Sequence, residues 1–220
     1  MKQFAMLAFA VGVVQAQPGP DLMAKMQTFS KALGVACEYC HTAPRGSGLA
    51  EPKKDIARAM MAMTADINAK IEAAAAKDAN GVVAVDCITC HRGVAVPRQL
   101  SEILSQTIRE KGVAAAVAQY RELRRQYFGG QSYDFSEGTL LTLGQQLTAA
   151  KPDDAIALLE LNVEFYPQSA STFAALGYAY TRKFDDATAM KYLEKAVALD
   201  PDNGVVRGQL EQLRSYRRRK

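Results

Sequence analysis

Two five-residue segments of the form C-x-x-C-H constrain this chain more than any other feature. They are Cys37–His41 and Cys87–His91, and together they contain all 4 cysteines and both histidines of the 220 residues. C-x-x-C-H is the attachment signal for c-type haem, because two thiols and an imidazole must reach one rigid macrocycle within a single backbone turn. The chain is therefore expected to carry two covalently attached haem c groups, held by Cys37, Cys40, Cys87 and Cys90, with iron ligation by His41 and His91.

Other uses of paired cysteines explain less of this pattern. Zinc knuckles usually lie about 15–20 residues apart. Cys40 and Cys87 are much further apart, and a zinc site leaves both histidines unexplained. A thioredoxin-like redox pair normally occurs once, beside a βαβ pattern, and no such pattern is evident here. Two disulfides in an exported chain are the remaining alternative.

The N-terminus has the pattern of a secretory signal over residues 1–16. Lys2 is followed by an apolar run from Phe4 to Val14, and small residues precede a predicted cleavage after Ala16. The run is too short to span a bilayer, so we expect no transmembrane segment in the mature chain. Because haem c is attached outside the cytoplasm in bacteria, we expect an exported protein in the periplasm or the extracellular space.

A helix with one repeated spacing of apolar residues precedes each motif. Asp21 can cap the first helix, whose apolar positions are Leu22, Met26, Phe29 and Leu33. The second begins near Pro52 and has Ile56, Met60, Met63 and Ile67 at the same spacing. Residues 17–100 are therefore predicted to form an all-α dihaem cytochrome c domain that arose by internal duplication.

The duplication also predicts the distal ligands. A c-type haem usually takes methionine sulfur opposite its histidine, and this chain has no third histidine. Met26 and Met60 occupy the same place in the two repeats, so we assign them to the first and second haem respectively. Met23 and Met63, one turn away on the same faces, are the alternatives. A methionine on such a stripe can also simply fill a core.

Three segments carry a resemblance to a known family. They are Met26–His41, the run from Ala57-Arg58-Ala59-Met60 to Asn68, and Cys87-Ile88-Thr89-Cys90-His91-Arg92-Gly93 with Pro97. Over residues 22–97 the chain resembles the cytochrome subunit of photosynthetic reaction centres. That subunit is a tetrahaem c-type protein that re-reduces the photo-oxidised pigment pair, and most of its haems have His/Met ligation.

The resemblance has implications for two site residues. It implies that Met60 is a distal ligand, and that Arg92 belongs to the haem site, where it would pair with a propionate. The alternative for Arg92 is a solvated side chain. This chain differs from the family in having two haem motifs rather than four.

The C-terminal half matches a tetratricopeptide (TPR) repeat of about 34 residues. The large, small and helix-ending positions are Phe173, Leu176, Gly177, Tyr180, Ala189, Leu193, Ala196 and Pro201. A preceding unit has Leu140, Leu143, Gly144, Leu147, Ala155, Leu159 and Pro167. Because about three units are needed for a stable stack, we expect a degenerate TPR-like pair over 101–134, then TPR repeats with a capping helix over 135–220.

These features together predict an electron carrier. Two six-coordinate His/Met haems leave no open iron position for a substrate, so we expect single electrons to pass between redox partner proteins. The repeats would hold a partner or a second copy, with a homopolymeric extracellular filament as one form. The formal net charge of +4 is modest, and nothing indicates a nucleic-acid partner.

Two other function classes are compatible with parts of this pattern. A dihaem peroxidase-like oxidoreductase needs a labile distal position and acid–base groups, which neither haem unit shows in the sequence. An interaction scaffold would use haem mainly to stabilise its fold. Carbon monoxide binding to the reduced protein discriminates the enzyme from the relay.

Overall fold

The fold is all-helical, as the sequence predicts. The computed structural model describes residues 20–44, 47–75 and 84–219, and the predicted signal over residues 1–16 lies outside them. The α-helices in the described ranges are α1 Pro20–Leu33, α2 Pro52–Ala75, α3 Cys87–His91, α4 Leu100–Lys111, α5 Val113–Tyr127, α6 Glu137–Leu147, α7 Pro152–Phe165, α8 Ala170–Arg182, α9 Asp186–Leu199 and α10 Gly204–Arg217. Those ranges contain no strand. No described helix combines the length and hydropathy needed to cross a membrane.

The chain divides into two compact units. Unit 1 is Met1–Ala95 and unit 2 is Val96–Lys220. The predicted haem domain ends at residue 100, close to this division. The finer predicted limits within unit 2 stay predictions.

In unit 1, α1 packs against α3 through a close approach of two glycines. Gly34 ends α1 with a φ of +63°, and a Cβ added to it would lie 2.0 Å from the Gly93 carbonyl oxygen. The Gly93 N–H donates to the Ala32 carbonyl at 2.9 Å. Any larger side chain at position 34 would separate these two segments, so this contact requires glycine.

Unit 2 is a series of antiparallel helix pairs. The helices α4 and α5, α6 and α7, and α8 and α9 pack against each other, and α10 packs on α9. Asp185 caps α9 and Asn203 caps α10 through their side-chain oxygens. These caps satisfy N–H groups that a helix start otherwise leaves without partners. The starts of α9 and α10 are therefore fixed at Asp185 and Asn203.

Glycine sets the spacing inside two of these pairs. A Cβ at Gly144 would lie 2.7 Å from Leu159 Cγ, and a Cβ at Gly177 would lie 2.6 Å from Leu193 Cγ. Each glycine was predicted as a small position and each leucine as a large one, and the two helices of each pair approach there. The predicted repeat positions that are buried are Leu140, Leu143, Gly144, Ala155, Leu159, Phe173, Leu176, Gly177, Ala189, Leu193 and Ala196.

Candidate haem-attachment site

The second motif forms α3, a helix of only 5 residues that depends on its cap. Asp86 Oδ1 accepts a hydrogen bond from the Thr89 N–H at 3.0 Å, and Thr89 Oγ1 accepts one from the Asp86 N–H at 3.1 Å. This reciprocal capping box satisfies two backbone donors of a helix too short to be stable alone. It places Cys87, Cys90 and His91 within one helical segment.

A tight turn after α3 orients the His91 ring. Arg92 and Gly93 both have positive φ, at 50° and 86°. The chain therefore folds back, and the Val94 carbonyl oxygen lies 3.1 Å from His91 Nδ1. A carbonyl can only accept, so Nδ1 carries the proton and Nε2 keeps its lone pair. Metal-binding histidines are commonly held in this way by a backbone carbonyl.

Arg92 contributes to the same turn. Its side chain is exposed, and its Nε donates to the Thr89 carbonyl at 3.3 Å. This bond satisfies one of the carbonyls left over at the end of α3. The predicted pairing of Arg92 with a haem propionate stays a prediction.

Two hydrogen-bonded contacts hold the second motif at its two ends. Before it, the side-chain amide of Asn68 on α2 bonds both backbone groups of Val85. After it, Gly93 bonds Ala32 at the end of α1. The sequence assigned no role to the Asn68 side chain or to the Val94 carbonyl. Residue type and spacing do not indicate either contact, because only the fold brings each group to its partner.

The first motif also closes into a single turn. A 3-10 helix spans Cys37–Tyr39. The Cys40 N–H donates to the Cys37 carbonyl at 3.2 Å, and the His41 N–H donates to the same oxygen at 3.0 Å. Both thiols and the imidazole thus belong to one turn of backbone, as haem c attachment requires.

The segment after the first motif is tied to the start of α2. Glu51 Oε1 accepts from the Ala43 N–H at 3.4 Å, and Glu51 forms an ion pair with Lys54. The hydrogen bond from Lys54, with smaller contributions from Ala43 and His41, lowers the pKa of the Glu51 carboxyl, and partial desolvation opposes this. The His41 ring is exposed, and among the described residues it has no counterpart of the bond between His91 and Val94.

Among the described residues, the cysteines form neither a disulfide nor a cluster of metal-binding side chains. All four thiols are free in this structure. Within residues 20–44, 47–75 and 84–219, no three His, Cys, Asp or Glu side chains come together as a metal site. The joint tetrahedral arrangement that a structural zinc needs is thus not assembled there.

The methionines of α2 lie on two neighbouring faces. Met60 and Met63 are 39% and 47% exposed, on a stripe that also includes the exposed Ile56. Met61 lies on an adjacent half-buried stripe, which consists of Ala57, Met61, Thr64, Asn68, Ile71 and Ala75. Met61 is not among the ligands predicted from the sequence. A helical projection alone would have placed it on a different stripe from Met60 and Met63.

On α1, Met26 is half-buried and Met23 is exposed. The sequence pairs α1 with the first motif, whereas α1 packs against α3 of the second. The assignment of Met26 and Met60 to particular haems therefore stays a prediction.

The residues of unit 1 fit two haem c groups. Each motif presents two free thiols and a histidine in one turn. Large apolar side chains are also exposed in this unit, where a flat apolar group would cover them. They are Leu22, Met23, Leu49, Ile56, Met60, Met63 and Ile88.

Comparison with known proteins supports the same chemistry over part of the chain. No curated protein matches the sequence. Residues 48–140 match the family model described as photosynthetic reaction centre cytochrome C subunit. The match confirms the resemblance over residues 48–97 and extends beyond it into α6, while the first motif precedes it. The region with the second C-x-x-C-H is thus similar to the photosynthetic reaction centre cytochrome C subunit family, and this similarity indicates c-type cytochrome electron transfer.

Proposed function

We propose that this protein is a dihaem c-type cytochrome that relays single electrons between partner proteins outside the cytoplasm. The observation that carries the proposal is the pair of C-x-x-C-H turns, each with both thiols free and its histidine in the same turn. The similarity of residues 48–140, which include the second of these turns, to a cytochrome family also supports it.

The chain's own groups have distinct tasks in this proposal. Cys37, Cys40, Cys87 and Cys90 would hold the two haems as thioethers, and bound haem iron supplies one-electron chemistry by cycling between its ferrous and ferric forms. The bond from His91 Nδ1 to the Val94 carbonyl leaves Nε2 free to bind iron and raises the basicity of the ring.

Methionine thioethers would supply the second protein ligand of each haem iron. Met26 and Met60 are the proposed ligands, with Met23 and Met63 as alternatives on the same helices. A thioether carries no proton and stabilises the reduced iron, so it suits electron transfer rather than acid–base chemistry.

The helix pairs of unit 2 are proposed to be TPR repeats that contact protein partners. Support comes from the matching glycine–leucine contacts, Gly144 with Leu159 and Gly177 with Leu193, and from the cover that α10 provides for α9. The occupant would be a redox partner or a second copy of the chain. Sedimentation velocity of the purified protein distinguishes a monomer from a polymer.

Ligand substitution tests the electron-relay proposal. In the oxidised holoprotein, Met60→Ala is expected to remove the near-infrared Met–Fe absorption of one haem, and Met26→Ala that of the other. Met61→Ala, which truncates a methionine on the neighbouring face of α2, is the matched control and should leave both contributions unchanged.

Carbon monoxide provides the second arm of the test. A six-coordinate relay should show no prompt binding to either reduced haem in the unmodified protein. Prompt binding at one haem would contradict the relay and favour the peroxidase-like oxidoreductase.

A further inference from the structure

We propose that Asn68 is a positioning residue for the second haem, and this inference rests on the proposed function. Asn68 Nδ2 donates to the Val85 carbonyl at 2.9 Å, and Asn68 Oδ1 accepts from the Val85 N–H at 2.8 Å. A carboxamide offers one donor and one acceptor side by side, so it matches both backbone groups of one residue.

The bonded residue lies two positions before the first cysteine of the motif. Val85 precedes Asp86, whose side chain caps α3. Fixing the backbone of Val85 thus fixes the start of the helix that contains both cysteines and His91. The other end of the motif is joined to α1 by the bond between Gly93 and Ala32. The haem-binding turn is therefore held between α1 and α2.

Asn68 also sets where the motif lies along α2. It is eight residues after Met60 on the same helix, which corresponds to a rise of about 12 Å. Because α2 is a continuous helix from Pro52 to Ala75, the bond to Val85 fixes the position of the methionines relative to His91. A sulfur ligand depends on that distance, and the ligand in turn sets the reduction potential.

The two haem units differ in this respect. The segment after the first motif is joined to α2 by the longer bond, 3.4 Å, between the Ala43 N–H and Glu51. Both bonds of the Asn68 amide go to Val85, two residues before the second motif, and neither goes to the first motif. Loss of its amide should therefore change one haem and leave the other as an internal reference.

The substitutions Asn68→Asp and Asn68→Ala test this role in the full-length holoprotein. Aspartate keeps the shape of asparagine but cannot donate to the Val85 carbonyl. Alanine removes both bonds. Asn203→Ala is the matched control, because it removes an asparagine that caps α10 in unit 2 and leaves unit 1 untouched.

The readouts are haem content by pyridine haemochrome, a redox titration and the near-infrared Met–Fe band. We expect both Asn68 variants to shift the midpoint of one haem and to lose up to half of the band. Asn203→Ala should lower the melting temperature and leave both midpoints and the band unchanged.

Two different failures can be told apart. If unmodified protein has fewer than two haems or no Met–Fe band, the proposed function is wrong. If it has both, and Asn68→Asp and Asn68→Ala leave both midpoints and the band unchanged, the proposed function stands and the role of Asn68 is refuted. Equal shifts at both haems would also refute it, because they indicate a general structural effect.

Discussion

The two units of this protein bury apolar side chains to very different extents. In unit 2, leucines and aromatic residues from every helix form two dense clusters, with side chains such as Leu104, Leu158 and Leu193 almost wholly inaccessible. Among the described hydrophobic residues of unit 1, only Ala32 and Val94 are buried. Both units form helices, but among the described residues only unit 2 has an extended hydrophobic core.

The contrast has an energetic consequence. Burying a leucine-sized side chain contributes about 1.5–3 kcal/mol, while ordering one residue costs roughly 1–2 kcal/mol. Unit 2 offsets this cost with its own side chains. Unit 1 cannot do so with two small buried residues, so its folding is expected to depend on the group attached to its four thiols, as for other cofactor-dependent domains.

The largest effect is expected when haem attachment is prevented. With Cys37→Ser, Cys40→Ser, Cys87→Ser and Cys90→Ser combined, unit 1 should lose its protection from proteases while unit 2 keeps its helices. Limited proteolysis with mass spectrometry, together with circular dichroism, measures both. If haem-free unit 1 resisted proteolysis to the same extent as unit 2, its folding would not depend on attached haem.

A core truncation in unit 2 should destabilise unit 2 and leave the haems of unit 1 unaffected. Leu193→Ala removes a buried side chain that contacts Gly177 and is expected to cost about 2–5 kcal/mol. The melting transition of unit 2 should fall while the haem spectrum stays unchanged. Val205→Ala, at a position that is 73% exposed, is the control. Equal effects of the two variants would argue against a packed interior at Leu193.

Two helix caps, one in each unit, test the same difference between the units. Asp86 caps α3 in unit 1 and Asp185 caps α9 in unit 2, and replacing either with alanine is expected to cost about 1 kcal/mol. Asp185→Ala should appear only as a lower melting temperature. Asp86→Ala should also shift the midpoint of one haem, because it loosens the turn that contains His91. Unchanged midpoints in Asp86→Ala would show that this cap has no influence on the haem.

A further effect, confined to high pH, is expected in unit 2. Burial, with a further contribution from Glu160, raises the pKa of Tyr180 to about 12. The unfolded chain loses this proton first, near pH 10, so stability should be constant below about pH 10 and fall as pH rises toward about 12. Burial also raises the pKa of Tyr120 and Tyr192.

Denaturant unfolding at increasing pH measures this loss. Tyr180→Phe should reduce it without abolishing it, because Tyr120 and Tyr192 still titrate. An identical loss in the variant and the unmodified protein would contradict the assignment to Tyr180.

Local chemistry was predictable from the sequence, and non-local contacts were not. The C-x-x-C-H spacing predicts that Cys37 and His41 share one turn, because only neighbouring residues are involved. The pairing of Gly177 with Leu193 follows from a repeat whose geometry is regular. The bond from His91 to Val94 depends on the positive φ of Arg92, a conformation that few non-glycine residues adopt.

Residue spacing in the sequence does not predict contacts between distant segments. Asn68 and Val85 are joined only because α2 and the second motif meet in space. The packing of α1 on α3 depends likewise on Gly34 and Gly93, and no spacing in the sequence indicates that these two glycines approach each other. A duplication predicts equivalent units, but it does not say which helix packs on which motif.

The intact mass of the purified holoprotein, after denaturation, shows whether both motifs carry covalent haem. We expect a polypeptide heavier by two haem groups, with peptide mapping that places one on Cys37 and Cys40 and the other on Cys87 and Cys90. A chain that matches the mass of its polypeptide alone would contradict this expectation.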